Sequence, residues 1–116
     1  MDFSKIVAIG AVAVAALAWG QRPEQIEVVV RIAELEIDRP QLDRYKAALK
    51  EEIDAAVRLE PGVLAIYSVA EKENPTRLRF FEMYSSEEAY QSHLESPHFK
   101  KYAATTKDMI EAKKTD

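Results

Sequence analysis

From Ile26 to Ile37 the chain reads IEVVVRIAELEI, a β-branched and largely alternating run. Alternation at period two sends successive side chains to opposite faces of a strand. Arg31, Ala33, Leu35 and Ile37 therefore share one face, and Glu34 and Glu36 the other. Asp38 and Pro40 then supply a helix start, an N-cap residue with a proline in the first turn. Leu42, Tyr45, Leu49, Ile53, Ala56 and Val57 follow at three- and four-residue spacing, one apolar stripe on a helix of about 20 residues. Glu60-Pro61-Gly62 ends it, and KEEID at 50–54 reads as its solvated face.

VLAIYSVAE (63–71) is a second strand, KENPT a turn, and RLRFFEMY (77–84) a third strand with Leu78, Phe80, Glu82 and Tyr84 on one face. Ser85 with Glu88 makes a capping box for a short helix holding Ala89, Tyr90, His93 and Leu94. Ser96-Pro97 restarts the helix, and Phe99, Tyr102, Ala103, Thr106 and Ile110 line one side of the second piece. The order β-α-β-β-α implies an α+β, ferredoxin-like antiparallel sheet with helices on one face. That topology closes with a fourth strand. The remaining DMIEAKKTD carries no strand pattern, so the final strand is expected to be missing.

Residues 1–20 differ from the rest. Ile6–Trp19 is an apolar run without charge, and as a helix it spans roughly 21 Å, short of the roughly 30 Å of a bilayer core. With the small-x-small Ala16-Leu17-Ala18 near the end of the run, the segment reads as an export signal cleaved after Ala18, for a periplasmic product. An uncleaved membrane anchor, or a segment that stays with a cytoplasmic protein, are the alternatives. Residues 21–116 are then one domain.

Charge and composition narrow the function. A net charge of −4, without a clustered basic surface, argues against a nucleic-acid partner. The chain has no cysteine, which excludes thiolate zinc sites, disulfides and thiol nucleophiles. Two histidines could build a metal cage only with carboxylate help, and no metal or other cofactor is expected.

Residues 59–102, LEPGVLAIYSVAEKENPTRLRFFEMYSSEEAYQSHLESPHFKKY, resemble the antibiotic biosynthesis monooxygenase (ABM) family. The EPGxLxxY turn-strand, the FxExY strand and the HLxSPHFKxY helix joint stand in that family's order. VVRIAELEID resembles its first strand, so the likeness covers residues 26 to 110. It implies a homodimeric α/β barrel of two sheets packed face to face, each protomer keeping a pocket between sheet and helices. It also implies oxygenation of quinols or polyphenols by O2 without metal or flavin. The family's haem-degrading branch would need a histidine where Ala103 stands.

Cofactor-free oxygenation requires a proton acceptor, a partner to orient it, and an aromatic-lined space that excludes water. His93 titrates near neutrality and is the expected proton-handling group, with Glu82 on the facing strand fixing its tautomer. His98, in a first helical turn that disfavours the imidazolium, is expected at the pocket mouth. Tyr67, Tyr84, Tyr102 and Phe99 could hold an aromatic ring. Arg31, among apolar neighbours, needs an anion, from Glu82 or from a ligand. Each also has a plain reading: His93–Glu82 as a bond joining helix to sheet, His98 as a cap, the aromatics as packing. The alternatives to an oxygenase are a non-catalytic dimeric ligand-binding domain and an isomerase of small keto compounds.

Overall fold

The computed structural model describes residues 27–115. The expected leader and its cleavage site lie outside the described residues. Strand β1 (Val29–Ile37) leads through a 3-10 turn (Arg39–Gln41) into helix α1 (Leu42–Leu59). Strands β2 (Val63–Glu71) and β3 (Asn74–Tyr84) form a hairpin, followed by the short helices α2 (Glu87–Leu94) and α3 (Pro97–Thr106) and by strand β4 (Ile110–Thr115). The sheet order is β2-β3-β1-β4 and every pairing is antiparallel. This is the ferredoxin-like arrangement. Among the described residues no helix is long and apolar enough to cross a membrane.

The final strand is present, against expectation. Residues 110–115 pair with β1 from Ile37↔Ile110 to Ala33↔Thr115, across an irregularity at Glu36/Ile37. Every residue of β4 after Ile110 is exposed, so it shows no buried-face alternation, and its lysines are the charges that keep an edge strand from pairing further.

Inward residues of β1 and β3 meet the stripe of α1. Leu35, Ile37, Tyr45, Leu49, Leu78, Phe80 and Met109 form one core cluster. Ala56, Val63, Ile66 and Tyr84 form a second. Helix starts differ from expectation in detail. Asp38 makes no side-chain cap bond; its Oδ2 accepts from Gln41 Nε2 instead, at 2.9 Å. Ser86, not Ser85, caps α2, its Oγ accepting from Ala89 N. Ser96 caps α3 as the Ser-Pro pair requires.

Among the described residues, no helix packs on the other face of the sheet. Ile32, Phe81 and Tyr67 stand in one row across β1, β3 and β2, and all three are exposed, as are Val30 and Val69. Arg79 bridges Glu34 and Glu71 at the same face. The face is apolar at its centre.

Candidate active site

A cavity of about 230 Å³ lies between the sheet and the two C-terminal helices. Arg31 and Ala33 of β1 and Phe80 and Glu82 of β3 form its floor, and Tyr90, His93, Phe99 and Tyr102 its helical wall. Strand β4 adds Lys113 at the rim beside Ala103, both exposed. The broken helix makes this space: Ser96-Pro97 turns the chain so that α2 and α3 each present an aromatic side to the sheet.

The expected His93–Glu82 bond is not formed. Glu82 Oε1 accepts from the Tyr84 hydroxyl at 2.8 Å, because the two side chains share one face of β3 two residues apart. His93 is buried and turns its nitrogens toward α1 and the turn after it. Its Nδ1 is 3.0 Å from Glu60 Oε2 and its Nε2 is 3.6 Å from Glu52 Oε2. His98 is not at the pocket mouth, since its Nε2 bonds the same Glu60 oxygen. Neither histidine aims a free nitrogen into the cavity; the His93 ring serves as wall, packed on Phe99 and Tyr84 with centroids 5.1 and 5.4 Å away.

The remaining candidates divide. Phe99 and Tyr102 line the cavity as expected, and the Tyr102 hydroxyl shares a 2.6 Å hydrogen bond with Tyr45. Tyr84 is wholly buried and is not in the cavity wall. It holds Glu82 in place, and burial keeps its phenol well above the usual range, hence protonated and donating. Tyr67 is 65% exposed on the opposite sheet face and cannot reach the site. Arg31 and Glu82 are register partners, yet the guanidinium lies 4.5 Å from the centroid of Tyr90, a cation–π contact rather than the expected ion pair.

Two acidic residues went unnoticed in the sequence. Glu52, inside the supposedly solvated KEEID run, is 5% exposed. Burial raises its carboxyl pKa, against the lowering influence of His93 and His98. Its spacing was the available signal, because 45, 49, 52 and 56 fall on one helical stripe. Glu60 sat in a helix-ending turn, where an acid looks like solvated punctuation.

Chemically, the cavity offers aromatic walls, one carboxylate fixed by a phenol, and two cations, Arg31 and Lys113. It can take a flat hydroxylated ring, accept a proton at Glu82, and stabilise the anion left behind.

Comparison with known proteins agrees with this architecture. The sequence profile of the family "Antibiotic biosynthesis monooxygenase" matches residues 28–105. A Bacteroides thetaiotaomicron protein named for that family is 47% identical, with a TM-score of 0.76 over 77% of this chain and 85% of that one. A Lactobacillus acidophilus protein named as a monooxygenase is 28% identical, also at 0.76, over 78% of this chain but 43% of its own. A Nitrosomonas europaea protein at 22% identity shares the fold, with a TM-score of 0.73 over 82% of this chain and 91% of that one. No curated protein matches. With a profile match spanning most of the described residues, and with the sheet order and helix joint in place, the chain belongs to the antibiotic biosynthesis monooxygenase family.

Proposed function

We propose that the cavity binds a quinol-like or polyphenolic ring and oxygenates it with O2. Glu82 takes the phenolic proton, and Arg31 and Lys113 stabilise the resulting anion. The ring supplies the electrons: a hydroquinone and O2 give a hydroxyquinone and water, so no resident redox cofactor is required. Deprotonation makes the ring rich enough in electrons to pass one to oxygen, and the apolar walls keep bulk water from quenching the reactive intermediates. Phe99 and Tyr102 position the ring. His93 shapes the wall and does not itself receive the proton, since both its nitrogens face carboxylates.

The observation that carries this reading is the Glu82 carboxylate, fixed by Tyr84, in a cavity walled largely by aromatic and aliphatic side chains with Arg31 and Lys113 as its cations. Oxygen uptake with a panel of hydroquinones tests it. Glu82→Gln preserves the shape and should slow uptake by about 10²- to 10⁴-fold, the usual contribution of a positioned base. Uptake no faster than without protein, or equal in wild type and variant, would refute it. Ring binding without uptake would leave a ligand-capture domain. The partner proposed for the free sheet face is a second copy of the chain, because a row of Ile32, Phe81 and Tyr67 is otherwise left in water.

A further inference from the structure

We propose that Glu52, His93 and His98 form a binding site for a divalent first-row transition ion of the zinc type, clamping α1 to the two halves of the broken helix. The site goes beyond the oxygenation reading and takes no part in it.

The donor atoms are already gathered. One ligand atom from each of the three residues lies within 4.8 Å of the others. They come from three separate elements, the third turn of α1, the end of α2 and the start of α3. A tetrahedral ion with bonds of about 2.0–2.1 Å holds its ligand atoms about 3.4 Å apart. The 3.6 Å from His93 Nε2 to Glu52 Oε2 fits that spacing without movement, and His98 would exchange its bond to Glu60 for the ion.

An independent observation points to something filling this place. Glu52 Oε1 is buried without a hydrogen-bond partner, although the side chain is only 6% exposed. A buried carboxylate oxygen left unsatisfied is costly. The histidine beside it is prepared as a ligand. Its Nδ1 is held by Glu60 at 3.0 Å, which directs Nε2 toward Glu52 Oε2 at 3.6 Å. A cation placed between this imidazole and the Glu52 carboxylate would be ligated by both. Glu60 then plays the outer carboxylate that orients a metal-bound histidine. Two neutral imidazoles and a carboxylate suit zinc and its neighbours. A cavity of about 70 Å³ lined by Glu52 and His98 has room for a water as the fourth ligand.

The test uses full-length protein, stripped by chelator and titrated with Zn(II) and Co(II) without any quinol, so that it stands apart from oxygenation. Wild type should take up one equivalent, raise its melting temperature to a plateau, and give the visible bands of four-coordinate Co(II). The isosteric Glu52→Gln and the part-exposed His98→Gln should each weaken binding at least about tenfold, with folding checked by circular dichroism. Asp54→Asn, exposed on the same helix and paired with Lys50, should bind like wild type. No saturable uptake by wild type overturns the proposal. So does binding that both variants retain, which would place the ion elsewhere, or a rise in stability of Glu52→Gln without any metal uptake by wild type, which would make a proton the group that fills the gap.

Discussion

Replacing Gly62 with alanine puts a methyl into space that the protein has already filled. A Cβ at this position would lie 2.5 Å from Ala89 Cβ and 3.2 Å from Ser85 Oγ, whereas carbons in contact sit about 3.5–4.0 Å apart. About 1 Å or more has to be found. Neither neighbour yields easily. Ala89 belongs to the first turn of α2, where its N–H is held by the Ser86 cap at 3.0 Å. The Ser85 N–H donates to the Gly62 carbonyl at 2.8 Å, tying the two segments together at the point of collision. Overpacking of this kind costs about 1–3 kcal/mol, and the upper half applies because backbone, not a flexible side-chain end, must move. For a domain of this size each kcal/mol lowers the melting temperature by about 4–8 °C, so Gly62→Ala should melt roughly 8–24 °C below wild type. Ala89→Gly removes the opposing methyl and costs about 1 kcal/mol in helix propensity. The double variant should therefore be more stable than the sum of the singles, by about 1–2 kcal/mol of coupling. Thermal and urea melts of the four proteins measure this. A Gly62→Ala melt within about 2 °C of wild type, or strict additivity, would refute the reasoning.

Two further perturbations probe other parts of the molecule. Phe81→Asp sets a charge at the centre of the exposed sheet face and should convert the proposed dimer to monomer in light scattering at micromolar concentration, because burying Phe81 contributes about 1.5–3 kcal/mol and burying an unpaired carboxylate opposes association; an unchanged mass would remove the face-to-face arrangement. Thr76 donates to Glu36 at 2.6 Å, and this bond holds the Glu36 carboxyl below its ordinary 4.5. A depressed folded pKa contributes stability above the ordinary value and loses it as pH falls through the lowered one. The melting-temperature gap between wild type and Thr76→Val should thus narrow as pH drops below 4.5, and a gap that widens or stays constant would contradict the sign.

The three long strands and α1 were readable because each has one buried face, and a buried face writes its period into the sequence. β4 has none. Its only inward anchor is Ile110, partly buried against the first core cluster, and the hydrogen bonds that make it a strand belong to β1. Backbone pairing at an exposed edge leaves no hydrophobic trace, so a lysine-bearing tail and an edge strand look alike. Tyr67 was misassigned for a different reason. Val63 is buried, and undisturbed alternation would send Tyr67 to the same side. The register of β2 on β3 shifts between Val63 and Ala65, and one extra residue exchanges the faces of everything after it. Ile66 therefore enters the core and Tyr67 leaves it.

The site obeys the same logic one level up. Residue types were enough to bring His93, Glu82, Arg31, Phe99 and Tyr102 to the joint between sheet and broken helix, because strand parity and helical spacing fix which side each occupies. They could not say which carboxylate meets which imidazole. That depends on how far α1 runs before Glu60-Pro61-Gly62 stops it, and on how closely α2 can approach that turn. Gly62 sets the approach: with no side chain there, α2 comes close enough for His93 to reach Glu60 and to leave Glu82 to Tyr84. A histidine drawn to the helix end cannot also serve the cavity as a free base. The division of labour at the joint, one carboxylate facing the cavity and two carboxylates facing the histidines, is thus a consequence of a single close backbone contact. Widening that contact should disturb both places together.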